Sequence, residues 1–360
     1  MNFRGFIIRR FVDKGFEVIL VAPKDVDGGA AWKLIPEGVR FIPVHLDRCG
    51  TNPWNDISYH RSLYRIYKKE RPDYIFHYTI KPNIYGTLAA SRLGIPSTSM
   101  ISGLGYAFEN RGLMSAIAGS LYRFALRRAK HVFVLNRENY RFVIDEKISS
   151  TEKTIWLRGG EGVSLTRYPF LNNDSDKTTF MLVARVLADK GYYEFVEAAR
   201  MVRKEYPDVK FQILGPIDEL NPVHITREMI RKHEESGAIE YLGTTDDVPS
   251  IEGRPGTVVV LPSYHEGMSR SLMEALAMGK PVIASDIPGC REAVIEGQNG
   301  YLVIPKDAPS LAEACFSYLR LSPEERMKFS LASRRLAEDV FDIEHVYVAY
   351  KKVMQECFDL

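Results

Sequence analysis

Two carboxylates, Glu266 and Glu274, stand eight positions apart in the stretch TVVVLPSYHEGMSRSLMEALAMGKPVIASDIPGCREAV, residues 257–294. A pair of acids at that spacing is ordinarily a solvated loop residue and an exposed helix residue, and the surrounding pattern argues otherwise here. Residues 257–261 are an apolar, β-branched run of the length of a buried strand. A short polar loop with Gly267 follows. Apolar positions at Leu272, Ala275, Leu276 and Ala277 then predict a helix over about 271–278, ended by Gly279 and Pro281. Residues 281–284 read as a second buried strand. In such a unit Glu266 falls just past the carboxyl end of a strand, where open parallel sheets bind ligands. Glu274 falls about one turn into the helix. Between them the N–H groups of residues 269–272 are the orphan donors of a helix start, a seat for phosphate. A phosphate with an acid reaching to either side describes a nucleotide-sugar site.

A second constellation lies upstream. Arg185 and Lys190 follow an apolar run over 179–184 and precede a helical pattern over 192–205. Such a pair is usually surface decoration. Between a buried strand and a helix, both side chains point to the same sheet edge, where a guanidinium fork and a compact ammonium make a clamp for a diphosphate.

With these residues in view, the 266–274 spacing resembles the E-x7-E signature of retaining glycosyltransferase family 4, the glycosyl transferases group 1 enzymes. The similarity runs along nearly the whole chain. The resemblance implies an α/β GT-B fold, two Rossmann-like doubly wound domains facing each other across a cleft. Residues 1–150 would form the acceptor-side domain, 151–176 a linker, 177–340 the nucleotide-sugar domain, and 341–360 a helix crossing back. It implies that Glu266 holds hydroxyls of the donor sugar, Glu274 the ribose, and Arg185 and Lys190 the donor phosphates. Gly267, Met268, Ser269, Ser271 and Leu272 would line the donor. The 242–248 segment LGTTDDV, with Gly243, resembles the loop whose backbone receives the base, with uridine expected. His77, in HYTIKPNIYG, is expected at the end of a strand facing the cleft, with a catalytic part; a core or capping histidine is the alternative. Gly5, in the 2–5 segment NFRG, matches a family position near the ligand.

The resemblance also implies retention at the anomeric centre, with the departing phosphate accepting the acceptor's proton. No cofactor beyond the nucleotide-sugar substrate is expected, nor a metal, since cationic groups would serve. The HYTIKPNIYG and ISGLGYAF segments resemble bacterial enzymes that build glycans on a polyprenyl-diphosphate carrier. A hexose or N-acetylhexosamine would then pass from a UDP-sugar to a glycan or lipid-linked acceptor.

Composition sets the bounds. The 360 residues suffice for two domains, and 45% hydrophobic with 26% charged residues is a globular balance. A net charge of +2 makes no case for nucleic acid. Four scattered cysteines read as free thiols of a reducing cytosol rather than a zinc site. No run of about 18 apolar residues predicts a membrane span. A cytoplasmic protein is expected, with peripheral contact to the inner face of the membrane through a basic helix over 113–131.

Two features depart from the family pattern. The family's first strand and glycine loop, which precede an NFRG-like segment, are missing here. That strand is central to its sheet, so two strand edges are expected to stand open. In RGGEGVS, residues 158–164, Glu161 and Ser164 replace the family's serine and aspartate. These departures keep a non-catalytic nucleotide-binding remnant in view, beside a nucleotide-sugar epimerase or hydrolase of the same fold.

Overall fold

In the computed structural model, residues 4–23, 35–47, 52–103, 113–219, 221 and 224–358 are described. They divide into two units, Met1–Glu161 with Ile343–Leu360, and Gly162–Asp342.

The first unit opens with α1 (Gly5–Asp13), which buries Ile7 and Phe11. Strands β1 (Val18–Ala22) and β2 (Val39–Pro43) pair in parallel, Val18 opposite Val39. In α2 (Pro53–Glu70) the Asn52 side chain accepts from the Trp54 N–H and proline occupies the first turn, two start signals at once. Next come β3 (Ile75–Tyr78), a π-helical turn over Pro82–Gly86, α3 (Thr87–Arg92), β4 (Ser97–Ile101) and α4 (Leu113–Leu126). After them follow β5 (His131–Val134), α5 (Arg137–Asp145) and β6 (Thr154–Trp156). Strands β3-β4-β5-β6 form a parallel sheet in that order. The C-terminal helix, Ile343–Phe358, belongs to this unit and sets Tyr350 4.7 Å from the Phe76 ring and 5.1 Å from Phe133.

Among the described residues β1 pairs only with β2, and β3 only with β4. The burial pattern fits: β4 and β5 are buried at every position, whereas β1, apolar throughout, is only partly buried along its length.

The second unit comprises β7 (Thr179–Val183), a 3-10 turn over Ala188–Lys190, α6 (Tyr192–Glu205), β8 (Lys210–Leu214), α7 (Arg227–Glu235) and β9 (Glu240–Gly243). It continues with α8 (Val248–Glu252), β10 (Thr257–Leu261), α9 (Arg270–Ala277), β11 (Val282–Ser285), β12 (Gly300–Val303), α10 (Ala308–Leu319) and α11 (Pro323–Leu336). Helix α11 starts with a full capping box, Ser322 and Glu325 exchanging side-chain-to-backbone bonds. Six parallel strands lie in the order β12-β11-β10-β7-β8-β9. The order reverses between β7 and β10, which defines a doubly wound sheet and places a crevice outside the carboxyl ends of those two strands. The segment expected to be a linker is not one. Strand β6 lies within it and belongs to the first unit. Later in it, the Leu171 N–H donates to Met278 O at 3.1 Å and the Asn173 amide to Thr257 O at 3.2 Å. These bonds, one from the backbone and one from a side chain, tie the stretch to the second unit.

Behind α9 lies a buried ionisable pair. Glu252 is fully buried, and neither carboxyl oxygen has a hydrogen-bond partner among the described residues. Burial and then nearby Glu274 raise its carboxyl well above the ordinary range, against the opposing pull of Lys280. Burial lowers Lys280 to about 8, while its ammonium donates to Asn173 Oδ1 at 3.0 Å and Arg254 O at 3.1 Å. Above the unfolded carboxyl's pKa the native state holds a proton on Glu252 that the unfolded chain has lost. Stability therefore falls as pH rises from about 4.5 towards neutrality, by up to about 1.4 kcal/mol per unit for this one group. Between about 8 and 10.5 Lys280 acts in the opposite sense. Denaturant unfolding at pH 5 and 7 should show Glu252→Gln gaining on the wild type at the higher pH. Parallel slopes for the two proteins would refute the assignment.

Candidate active site

The crevice at the strand-order reversal is built from two loops, one after β7 and one after β10. Three backbone features draw them together. Gly191, at φ +78, closes the first loop so tightly that a Cβ there would lie 2.2 Å from Pro262 O. Only glycine accepts both that dihedral and that approach. The Tyr264 N–H donates to Asp189 O at 2.9 Å. On the far side, a Cβ on Gly289 would lie 2.7 Å from Glu266 O, and Gly289 O accepts from the Ser269 N–H at 3.0 Å.

This framework sets Lys190 Nζ 2.6 Å from Glu266 Oε1 and 3.5 Å from Ser263 Oγ. Lys190 and Glu266 are both largely shielded from solvent, so their attraction is less screened than that of a surface pair. Residue 269 caps α9, its Oγ accepting from the Leu272 N–H at 3.4 Å and lying 3.3 Å from Ser271 Oγ. The helix begins at Arg270, one residue before the predicted start. Met268 packs against the core cluster beneath. The crevice thus gathers a cation, a carboxylate and the amino end of a helix, a set suited to a phosphorylated ligand with hydroxyl groups.

Glu274 is buried on α9. Its Oε1 accepts from the Tyr168 hydroxyl at 2.7 Å and from Arg270 Nε at 2.5 Å. Burial, then Glu274, raise the Tyr168 hydroxyl to about 12. Arg185 is drawn elsewhere: its guanidinium is half exposed and bonds Asp218 at 2.9 Å. The expected clamp is therefore two cations, each held by its own acid. Gly243 ends β9 at φ +74 with open space beside it. Gly5 opens α1, and a Cβ there would meet nothing within 4 Å. Residues 104–112 of the ISGLGYAF region lie outside the described residues, as do Asn2 and Phe3.

His77 is corrected. It is the third residue of β3, with 3% of its surface exposed. Its Nε2 lies 3.1 Å from the Tyr67 hydroxyl and its Nδ1 3.2 Å from Thr87 Oγ1. Burial lowers its pKa to about 3, so it stays neutral. A ring with both nitrogens occupied in the core has no path to a reacting atom. Strand alternation turned it inward, and the core-histidine alternative stands.

Sequence reading missed Tyr168, Gly191 and Gly289. Tyr168 sits in what was read as linker, far from Glu274 in the chain. The glycines carry no chemistry of their own, although Gly191 next to Lys190 before a helix was a usable sign of a left-handed closure.

The family model for glycosyl transferases group 1 matches residues 168–336, and that for glycosyl transferase 4-like proteins matches residues 3–136. The chain is a family 4 glycosyltransferase. Among curated relatives of this glycosyltransferase is the N,N'-diacetylbacillosaminyl-diphospho-undecaprenol alpha-1,3-N-acetylgalactosaminyltransferase of Campylobacter jejuni. It is 28% identical over 97% of this chain and 93% of its own. The fold resembles a glycosyltransferase from Rickettsia africae, with TM-score 0.78, 18% identity and 99% and 94% of the two chains covered. It also resembles Anabaena HepE in complex with UDP and glucose, with TM-score 0.76, 16% identity and 98% and 95% covered. The fold of the glycosyltransferase is GT-B, two Rossmann-like units of parallel sheet. Among the described residues no helix is long and apolar enough to cross a membrane.

Proposed function

We propose that this glycosyltransferase moves a hexose or N-acetylhexosamine from a UDP-sugar, with retention, to a glycan acceptor carried on a polyprenyl diphosphate. The observation that carries the reading is the Lys190–Glu266 pair at the amino end of α9, on the crevice of a doubly wound sheet. Lys190 and the first N–H groups of α9 would stabilise negative charge developing on the leaving diphosphate as the anomeric C–O bond breaks. The departing oxygen would take the proton of the acceptor hydroxyl on the same face, so that configuration is kept. Glu266 would orient the sugar hydroxyls and steady Lys190. The UDP complex of HepE and the lipid-linked acceptor named for the Campylobacter relative support donor and acceptor class.

Peripheral contact with the inner face of the membrane would use the turn after α4, narrower than the basic helix expected. Exposed Phe124 carries the Arg128 guanidinium 3.6 Å above its ring. Arg123 is paired with Glu146, and His131 is buried in β5 against Tyr74 and Glu356.

The deciding experiment incubates the protein with UDP-GlcNAc or UDP-GalNAc and a polyprenyl-diphosphate disaccharide in excess EDTA, then reads the new anomeric linkage by NMR. An α-linked product is expected. A β-linked product, a metal requirement, or free sugar alone would each overturn the corresponding part. Glu274→Ala should weaken UDP binding roughly tenfold, in line with hydrogen bonds lost to a charged group. Unchanged UDP affinity in a calorimetric titration would remove Glu274 from the ribose site.

A further inference from the structure

A glutamate carboxylate turns easily about its last torsion, which is broad and two-fold rather than staggered. It selects one sugar hydroxyl sharply only where something stops that rotation. On α9 two donors stop it for Glu274, and both take the same oxygen. The Tyr168 hydroxyl reaches Oε1 at 2.7 Å and Arg270 Nε reaches it at 2.5 Å. Oε2 takes no bond among the described residues and is not sealed from solvent. The side chain keeps 9% of its surface accessible, so that second oxygen is the one a ligand meets.

Neither donor is explained by the fold alone. Tyr168 is buried in the core of the second unit. Its backbone is tied down without the hydroxyl: its N–H donates to Ser164 O at 3.0 Å, and its carbonyl accepts from Arg334 Nη1 at 3.3 Å. The same guanidinium donates to Ala277 O at 2.6 Å, at the end of α9. A phenylalanine ring would fill that space, and a buried hydroxyl costs free energy unless it is bonded. What the hydroxyl adds is a short bond to a carboxylate, of charge-assisted length. Held at about 12 by burial and then by Glu274, it stays protonated, and a donor, through neutral and mildly alkaline pH. Arg270 stands in the first turn of α9, where a cation opposes the helix dipole, and ahead of its acid, the weaker order for a helical pair.

We propose that Tyr168 is a positioning residue for recognition of the nucleotide ribose: with Arg270 it pins one oxygen of Glu274 and presents the other to the sugar hydroxyls. This role rests on the ribose assignment of Glu274 made above. It makes the choice between ribose and deoxyribose depend on a hydroxyl 106 positions away in the chain, which itself never touches the ligand.

The test measures, by calorimetry on the full chain, the affinities of UDP, 2′-deoxy-UDP and 3′-deoxy-UDP. Wild type is expected to prefer UDP over at least one deoxy analogue by about tenfold or more, the worth of a hydrogen bond to a charged group. Tyr168→Phe should weaken UDP about fivefold and leave that analogue within about twofold, so that the ratio shrinks. The donor KM should rise with the Kd while kcat holds, the mark of uniform binding lost. Arg334→Ala loosens the backbone of Tyr168 without removing a bond to Glu274. It should lower Tm and leave the ratio unchanged. An unchanged ratio in Tyr168→Phe, or equal losses for UDP and the analogue, makes the tyrosine a packing residue and overturns the proposal alone. A wild type that does not bind UDP, or binds it no better than either analogue, overturns the ribose assignment of Glu274 and the proposal with it.

Discussion

Lys190→Ala is expected to lower kcat by about 10²–10³, the loss typical of one group that stabilises charge in the transition state. The KM for the donor should change by less than about tenfold, because the ammonium matters most once the leaving diphosphate carries its full charge. Geometry supports this weighting. Lys190 is mostly shielded, sits 2.6 Å from Glu266, and is delivered by a turn whose backbone is bonded to the opposite loop. Arg185 is half exposed and engaged with Asp218, so Arg185→Ala should cost much less. Steady-state kinetics on both variants, with circular dichroism to verify folding, would check the ranking. A Lys190→Ala enzyme that loses donor affinity while turning over at the normal rate would make Lys190 a binding residue only.

Gly191→Ala should be the more damaging change to the fold. The new methyl would meet Pro262 at 2.2 Å from its carbonyl oxygen and 2.5 Å from its Cγ, in a backbone at φ +78 that alanine rarely adopts. Left-handed strain costs about 1–3 kcal/mol and forced overpacking about 1–3 more. Gly297→Ala is the matched control: φ is +67 there, but a Cβ meets nothing within 4 Å. Denaturant unfolding should show Gly191→Ala losing roughly 2–6 kcal/mol, clearly more than the control, with activity falling further as the two loops part. Equal losses at both positions would mean that the close approach to Pro262 does not order the site.

What could be read from the chain follows from how locally each feature is encoded. Strand β10, the loop with Glu266, helix α9 and strand β11 were legible within a residue or two, since periodicity, a cap and a glycine stop all lie in one stretch. The second domain's architecture was an implication of the family resemblance. Partners distant in the chain were not legible. Tyr168 meets Glu274 and Asp218 meets Arg185 only because the sheet brings them together. His77 shows the same limit in reverse. Its place after an apolar run suggested a strand end, but alternation over one more residue, Tyr78, carried the strand past it and turned the imidazole into the core. The linker misreading has a similar cause. A stretch rich in Gly, Ser and Asn resembles a tether, although Asn173 accepts from buried Lys280 and donates to β10.

The route of the chain also has a consequence for its birth on the ribosome. The second unit is continuous in sequence, whereas the first is completed only by the helix Ile343–Phe358. Tyr347 and Tyr350 on that helix cover Phe11, Phe76 and Phe133. Until the last helix leaves the exit tunnel, those three aromatic rings have no cover from it, while the whole second unit has already been synthesised. N-to-C synthesis thus lets the later unit finish first and leaves the earlier one waiting with part of its core uncovered, the interval in which nascent chains aggregate or recruit chaperones.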